Sequence, residues 1–556
     1  MGISRGNNSG RHALTVIIAF CGLLLAAPAA ASAADRWVDD AGNDGGGTNN
    51  CANAAAPCAT ITQAVSSSGA SDEIHVDDGN YGFVTLAGDR TLTGENWRTG
   101  GSGPVNIMGS LAPGLVLANT SSASGVRVTS TAWQFAVILN DTSELAQSTV
   151  FETVDNGTGV LLDTGSPSLR DTTITSDDAN GAYGVDVSIG VSDVEIQGNS
   201  IGTEDHGFRD GVRFEQGVTG EIIGNTIAGI HQGGTGRGID LVDENSATIS
   251  DNTLLDFDGL PGTSTQGIYM QDVVAPGVTL TNNRILEPGN TGLVAIDTDP
   301  SVPITTNSNL FTGGNQAAYV GDATVDFNND TMAAPYTDWA IEISTNADID
   351  IDSSILDGGI IGSNSACSTT FTRGEQIVGD AACANFATAA SPGFVNPAGG
   401  DFHLAPGSAM VDAGNPAAPA GGSTDIDGNA RAIDADGTCP IVPRRDIGAD
   451  ERTATQPDCT TPPPGDKTPP DTSIAGKKKQ KLKKVHFTLS ATEAASTFEC
   501  KLDDGEFKPC DADYRPKRVK KGRHTLLVAA TDKAGNTDKT PASKRFKVTK
   551  KKRKHR

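Results

Sequence analysis

The sequence predicts an all-β chain: a parallel β-helix, in which one polypeptide winds into stacked coils, followed by a small β-sandwich. A word made of an alternating strand, a corner and a second strand recurs as VEIQGNSI, GEIIGNTI, ATISDNTL, VTLTNNRI and ITTNSNLF. It places Asn199, Asn225, Asn252, Asn283 and Asn309 at steps of 26, 27, 31 and 26. A period in that range, built from strands, marks a solenoid whose repeats bury their apolar faces by stacking. Between these words a further strand opens on Gly and then alternates, as in GVDVSIG, GVRFEQG, GIDLVDE and GIYMQDV. Glycine, 66 of 556 residues, stands above the roughly 7% norm, as tight coil corners demand.

Residues 1–33 carry Arg5, Arg11 and His12, an apolar run at 13–27, and Ala31-Ser32-Ala33 as a small-residue cleavage site. That pattern predicts a secretory signal peptide; a membrane anchor is the poorer reading because the run is short and Ala-rich. No later stretch approaches the roughly 18 apolar residues of a spanning helix, so the mature chain is expected to be secreted or at the cell surface, without a transmembrane segment.

Residues 34–80 read as an N-terminal cap and first coil. CANAAAPCATITQAVSS, at 51–67, suits a short helix lying across the first coil, where it shields an open strand edge, before DEIHVDDGNY and GFVTL begin the coils. Residues 81–390 are the coils. Period-two alternation puts Val185, Val187 and Ile189, then Val212 and Phe214, Ile239 and Leu241, and Ile268 and Met270 on one inward face. The recurrent Asn suits a sharp corner because it tolerates a left-handed backbone and its amide can bond to the amide one coil away. Asp330 and Ser354 take the same slot later. Coils about 4.8 Å apart would give roughly twelve coils and a rod on the order of 60 Å. Caps at both ends favour a monomer.

Residues 391–451 form a closing segment, and 452–470, RTATQPDCTTPPPGDKTPP, a semi-rigid Pro/Thr linker. From 471 to 549, KKVHFTLSATE, STFECKLDDGEFKPC and GRHTLLVAATDKAGNTD read as short strands split by Asp504-Gly505 and Gly535-Asn536 turns, and 550–556 is a basic tail.

Eight cysteines follow the leader in neighbouring pairs: Cys51 with Cys58, Cys367 with Cys383, Cys439 with Cys459, and Cys500 with Cys510. An even number in an exported chain predicts local disulfides; metal binding, the alternative, lacks a CxxC knuckle or clustered His. Charge is divided just as sharply. Residues 467–556 hold 26 Lys and Arg against 10 Asp and Glu, net +16, whereas the rest holds 16 against 58, net -42, and every lysine lies from Lys467 onward. The basic runs at 477–484 and 547–556 suit a cell-envelope polyanion. With no interleaved aromatics to stack bases, nucleic acid is not expected.

The opening RWVDDAGNDGGGTNNCANAAAPCATITQAVSSSGASDEIHVDDGNY, the coil words, SPGFVNPAGGDFHLAPGSAMVDAGNPAAP, TDIDGNARAID and RRDIGADE resemble secreted bacterial right-handed β-helix, pectin-lyase-like proteins of the choice-of-anchor Q type. The resemblance covers about residues 35–451 and implies a right-handed helix, export and surface association, not a reaction. The C-terminal segment resembles a bacterial immunoglobulin-like repeat, with Cys500 and Cys510 flanking one hairpin.

In pectin-lyase-like enzymes a sugar chain lies along the coil face that here carries Asp186, Arg213, Asp240 and Tyr269, beside Ser188, Glu215, Val242 and Gln271. Asp186 and Asp240, two coils and about 9.6 Å apart, would suit an inverting glycosidase, and Arg213 between them a substrate carboxylate. Neighbouring loops add His206, Asp210 and Arg237. The plainer reading is a solvated sheet face whose opposite charges pair. The polygalacturonase pattern, an Asn-Thr-Asp, a paired Asp and an Arg-Ile-Lys triplet, is missing, so hydrolase roles do not carry over. The expected function is therefore a non-catalytic polysaccharide-binding, adhesion or scaffold protein held by its basic module, with a polysaccharide lyase or glycoside hydrolase as the alternative. No cofactor is required. Calcium is a candidate at Asp425, Asp427 and Asn429, where oxygen ligands alternate before a Gly, although the closing Glu of a calcium loop is absent.

Overall fold

The computed structural model describes residues 33–95, 103–177, 181–204, 206–230, 235–257, 264–344, 346–362, 366–370, 372–379, 387–388, 391–415, 424–431, 444–453, 468–482 and 484–550. Nearly all of the expected signal peptide and most of the linker lie outside them, as do Cys383, Cys439 and Cys459. The chain forms two compact units, one holding the solenoid with its closing segment and the other the C-terminal module.

Successive coils contribute strands to three parallel sheets. The first has 14 strands among the described residues and includes Val194–Gln197, Thr219–Ile223 and Ser246–Ser250. The second includes Ser200–Ile201, Thr226–Ala228 and Thr253–Leu255, and the third Gly181–Val187, Phe208–Phe214, Arg237–Leu241 and Gln266–Gln271. The second and third merge at Ile355–Gly362, which pairs with strands of both. The first sheet starts earlier than the sequence suggests, because Asp35–Val38 already pairs in parallel with Glu73–Val76.

The expected inward columns are present. Val185, Val212, Ile239 and Ile268 follow one another in register, as do Val187, Phe214, Leu241 and Met270, and none is exposed to solvent. Ile189 is a correction: its strand ends at Val187, the chain turns through Gly190 at φ 73°, and Ile189 is 68% exposed. The leading glycines have a steric cause. A Cβ on Gly211 would lie 2.3 Å from Ile227 Cγ2 and 2.6 Å from the Gly238 carbonyl oxygen, and Gly184 and Gly238 sit in equally tight places. Only a bare Cα lets the third sheet approach the isoleucine column of the second.

Corners between the first and second sheets carry a buried amide ladder. Asn225 Oδ1 accepts the Asn199 backbone N–H and Nδ2, both at 2.9 Å, while Asn199 Nδ2 also reaches the Leu169 carbonyl at 3.0 Å. Asn225 repeats the arrangement on Asn252, Asn252 on Asn283, and Asn283 on Asn309. Asp330 then accepts from Asn309 and donates its N–H to Ser354 Oγ at 3.0 Å. Upstream, Thr172 and Ser148 extend the same column with hydroxyls, which the Asn spacing alone did not reveal. The left-handed residue of each corner is the one before the ladder position: Asp171, Gly198, Gly224, Asp251, Asn282, Ser308, Asn329 and Ser353 all have φ between 48° and 68°. The ladder asparagines are thus placed by their amides and not by backbone tolerance, which corrects half of the sequence argument.

At the N-terminus the expected helix is Ile61–Ser67, burying Ile61 and Ala64 against the first coils. Thr60 caps it, and the Asp44 carboxylate accepts the Ala59 and Thr60 N–H groups. The Cys51–Cys58 disulfide closes the loop before it. At the other end the closing segment runs beside several coils. Arg431, almost fully buried, donates to Ser308 Oγ and to the Gly448 and Ala449 carbonyls, while Gly448 N–H reaches the Ser353 carbonyl. Leu404, Met410 and Ile447 pack on Ile355.

The C-terminal module packs a three-stranded sheet of Thr472–Ala475, Phe487–Ala491 and Asp513–Tyr514 with a five-stranded sheet that includes Lys479–Lys481, Ala542–Thr549 and Gly522–Thr531. Phe487, Leu489, Leu526, Val528, Phe546 and Val548 form its core, and Cys500–Cys510 ties a hairpin. No helix among the described residues is long and apolar enough to cross a membrane.

Two stability tests follow from the ladder. Asn252→Ala leaves the Asn225 amides without an acceptor and the Ile222 carbonyl without a donor, so it should cost about 3 kcal/mol. Asn252→Ser, which keeps a hydroxyl as Ser148 does, should cost visibly less in thermal melting; equal melting of both variants and the parent would deny the ladder its role. Burial pushes the Asp330 carboxyl up to about 6. A carboxyl raised in the folded state favours folding below its unfolded value near 4 and loses that contribution as pH rises through 6, on the order of 2–3 kcal/mol. Asp330→Asn should therefore melt higher than the parent at pH 7 and lose the difference near pH 4, and a constant offset across that window would contradict it.

Candidate functional site: a polar face on the third sheet

The strands Gly181–Val187, Phe208–Phe214, Arg237–Leu241 and Gln266–Gln271 carry the site. Their register brings Asp186, Arg213, Asp240 and Tyr269 into one column, as the sequence spacing requires. A second column, Tyr183, Asp210, Arg237 and Gln266, runs beside it. Alternation breaks at the glycine between them, so the residue before each Gly and the residue two after it both lie off the core. The connections leading into these strands are the longest of their kind, 229–236 and 256–265, within which 231–234 and 258–263 lie outside the described residues.

The face is not solvated. Asp186, Asp240 and Tyr269 are each less than a tenth exposed, because long side chains of the second column fold over them. The Arg237 guanidinium lies 3.5 Å from the centroid of the Tyr269 ring, and its Nη1 donates to Asp240 Oδ1 at 2.6 Å. Arg237 N–H also donates to Asp210 Oδ1 at 3.0 Å, and Arg209 Nε to Asp210 Oδ2 at 3.1 Å. Arg213 Nη1 donates to the Tyr183 hydroxyl at 2.9 Å and lies 3.4 Å from Glu215 Oε1 and 3.9 Å from Asp186 Oδ1. Tyr269 donates its hydroxyl to Gln271 at 2.9 Å. Arg237, expected in a loop, is the first residue of a strand, and His206 sits exposed in the turn with Thr203.

Burial shapes the carboxyls. It pushes Asp186 and Asp210 each up to about 6, against the opposing pull of Arg213 and Arg209 respectively, and raises Asp240 against Arg237. Asp210 and Asp240 are nonetheless held by short charge-assisted hydrogen bonds, whereas Asp186 Oδ1 is buried with no hydrogen-bond partner. Asp186 is thus the raised carboxyl that keeps a buried oxygen free of hydrogen bonds, and Arg213 the cation with the longest ion pair. Asp210, expected in a loop, lies within the strand Phe208–Phe214, and Tyr183 and Arg209 joined the site unannounced. The signal was in the sequence, because the residue before each leading Gly recurs at the same period.

The calcium candidates serve another purpose. Asp425 Oδ1 accepts the Asp427 and Asn429 N–H groups, and its Oδ2 accepts Asn429 Nδ2 and the Glu451 N–H. Asp427 pairs with Arg284 at 2.6 Å and with His403 at 2.7 Å. Hydrogen bonds to Asp401 and Asp427 raise His403 to about 9. Protein donors thus meet both carboxylates of the candidate calcium loop. Of the expected disulfides, Cys51–Cys58 and Cys500–Cys510 are formed. The pairs Cys367 with Cys383 and Cys439 with Cys459 involve residues outside the described ones.

Comparison with known proteins bears on the fold. The family described as right handed beta helix region matches residues 135–311, the coils that carry the ladder and the polar face, and gives the helix its hand. Among solved structures, the crystal structure of pectate lyase Pel9A aligns over 75% of this chain and 96% of that one, at 12% identity and a TM-score of 0.37. Comparison with curated proteins finds no match.

The tight Arg237–Asp240 pair predicts a measurable coupling. Arg237→Ala leaves Asp240 buried and unpaired and should destabilise by about 3 kcal/mol. The double variant Arg237→Ala with Asp240→Ala should recover much of that loss in urea unfolding, and strictly additive losses would mean the pair contributes nothing.

Proposed function

We propose that the protein is an exported right-handed β-helix protein of the choice-of-anchor Q type that works at the cell surface. Its third-sheet face binds a polysaccharide without cleaving it, and an immunoglobulin-like C-terminal module holds it to an anionic envelope. The observation that carries the non-catalytic reading is the Arg237–Asp240 hydrogen bond at 2.6 Å. An inverting hydrolase needs two carboxyl groups free to exchange protons on opposite sides of the sugar bond. Here Asp240 is committed to Arg237, and Asp210 to Arg209. What remains suits binding: guanidinium planes stacked on Tyr183 and Tyr269, and Arg213 to meet a uronate carboxylate. Two disulfides among the described residues support an oxidising compartment.

One observation favours the enzymatic alternative, a lyase or hydrolase of acidic glycans. Asp186, raised to about 6 and with a buried oxygen free of hydrogen bonds, is suited to general acid–base work.

The readings separate on one substrate. Polygalacturonate should retard the full chain in affinity electrophoresis, release neither unsaturated uronates nor new reducing ends, and bind about tenfold more weakly to Arg213→Ala. Products that appear with the parent and vanish with Asp186→Asn would replace the binding reading with the enzymatic one. Deleting residues 467–556, or washing with about 1 M salt, should release the protein from the envelope.

A further inference from the structure

The C-terminal module gathers its positive charge at one end. Leu482, residues 484–486 and residues 515–519 enclose a groove of about 890 Å³. Lys484, Arg515, Lys517 and Arg518 line it, over a floor of Leu482, Val485 and Val519 that packs on the module's core. Asp513 is the carboxylate beside it, and it is shared between Arg515 and His486. Lys484, Lys517 and Arg518 are exposed and have no ion pair among the described residues.

A second, independent feature adjoins the groove. In the five-stranded sheet Lys479 lies directly opposite Lys547, and Lys547 directly opposite Arg523, all three exposed. Like charges facing each other across strands destabilise a sheet, so this row is a cost that a bound anion would offset. The chain links the two features at both edges: Lys481 leads into Leu482, and Val519 leads through Lys520 and Lys521 to Arg523. The far end of the strand Gly522–Thr531 differs, because the Asp532 and Asp538 carboxylates there accept N–H groups of their own turn.

We propose that this groove and the adjoining Lys479–Lys547–Arg523 row form one binding site for a linear acidic polymer with an anionic group on each repeat and no bases. The inference rests on the anchoring role given above to the C-terminal module and names the surface that performs it. Fixed cations in a row match regularly spaced anions, and arginines can take phosphate or carboxylate oxygens in pairs. A strand of nucleic acid meets the same charges but lacks aromatic platforms, since His486 is the one ring among the lining residues. Phosphodiester and uronate chains share the required chemistry.

The test uses the full chain with three probes: inorganic polyphosphate, polygalacturonate and a single-stranded DNA of mixed sequence. The triple variant Lys484→Glu, Lys517→Glu, Arg518→Glu should weaken binding to polyphosphate or polygalacturonate at least tenfold, and whichever loses more identifies the source of the anion. A control at the far end, Lys533→Glu with Lys539→Glu, should stay within about twofold. The milder set Lys484→Gln, Lys517→Gln, Arg518→Gln, checked by its melting temperature, should show the same order if charge reversal harms folding. Equal losses in triple variant and control would reduce the effect to net charge and overturn the site. DNA bound more tightly than both other polymers would overturn the ligand class. Polymer binding that depends on the groove, with a protein not retained on the envelope, would sink the anchoring role alone. Retention that survives the triple variant would sink the groove alone.

Discussion

The structure depends on equivalent positions in successive coils being neighbours, and the buried amide ladder is what enforces that register. An asparagine side chain is both donor and acceptor, so a column of them is self-complementary: each accepts from the coil before and donates to the coil after. Such a column is tolerable in an apolar interior only when every member is satisfied. A one-residue slip would leave several buried amides unpaired at once, and it would also turn the valine and isoleucine columns outward. Asp330 marks where this chemistry stops. It accepts like an asparagine but cannot donate to a carbonyl, and the closing arm meets the corners of the coils around it through Ser308, Thr331 and Ser353.

The same register produces the polar face. Once coils stack, any charged residue in one coil faces its counterpart in the next, and Asp186, Arg213 and Asp240 alternate in sign along the column. The glycine step adds a second outward column within reach of the first, and the arginines there fold across tyrosine rings and carboxylates of their neighbours. Coulombic pairing and burial then act together: each carboxylate loses water, and those that find a short partner are fixed. Asp186 finds only a distant one. A sheet that looked solvated in one dimension therefore has its carboxylates and Tyr269 covered, with partly exposed guanidinium groups as its outermost layer.

Much of this was legible in the sequence because both periodicities are local to one strand. The inward columns and the Asn register could be read from spacing alone, and both occur as expected. The fate of Ile189 could not, since its parity is right and only the length of its strand removes it from the core. The left-handed corners fell one residue earlier than expected because amide pairing and backbone tolerance predict adjacent positions, and spacing does not say which is which. At the site, counting alternation from the Gly hid the residue before it, so Tyr183 was missed and Asp210 was assigned to a loop although their period is plain. For DIDGN the acidic pattern was legible but the protein donors that meet it were not. They come from Arg284, His403 and Glu451, distant in sequence.

The division of charge suits the two units to the different roles proposed for them. The part of the chain before the C-terminal module, residues 1–466 with net charge of -42 and no lysine, is repelled by an anionic envelope within a Debye length of about 8 Å and cannot hold itself there by charge. The C-terminal region, at +16, can, but its cations are costly to its own fold where they face each other in register. A neutral module would be more stable and useless as an anchor. Separating the functions also protects the polar face, because arginines that must stack on tyrosines and pair with buried aspartates are not available to grip a distant polyanion. On the roles proposed above, binding at the face would be governed by shape and short hydrogen bonds and be weakly sensitive to salt, whereas attachment through lysines would be governed by counterion release and be strongly sensitive to it.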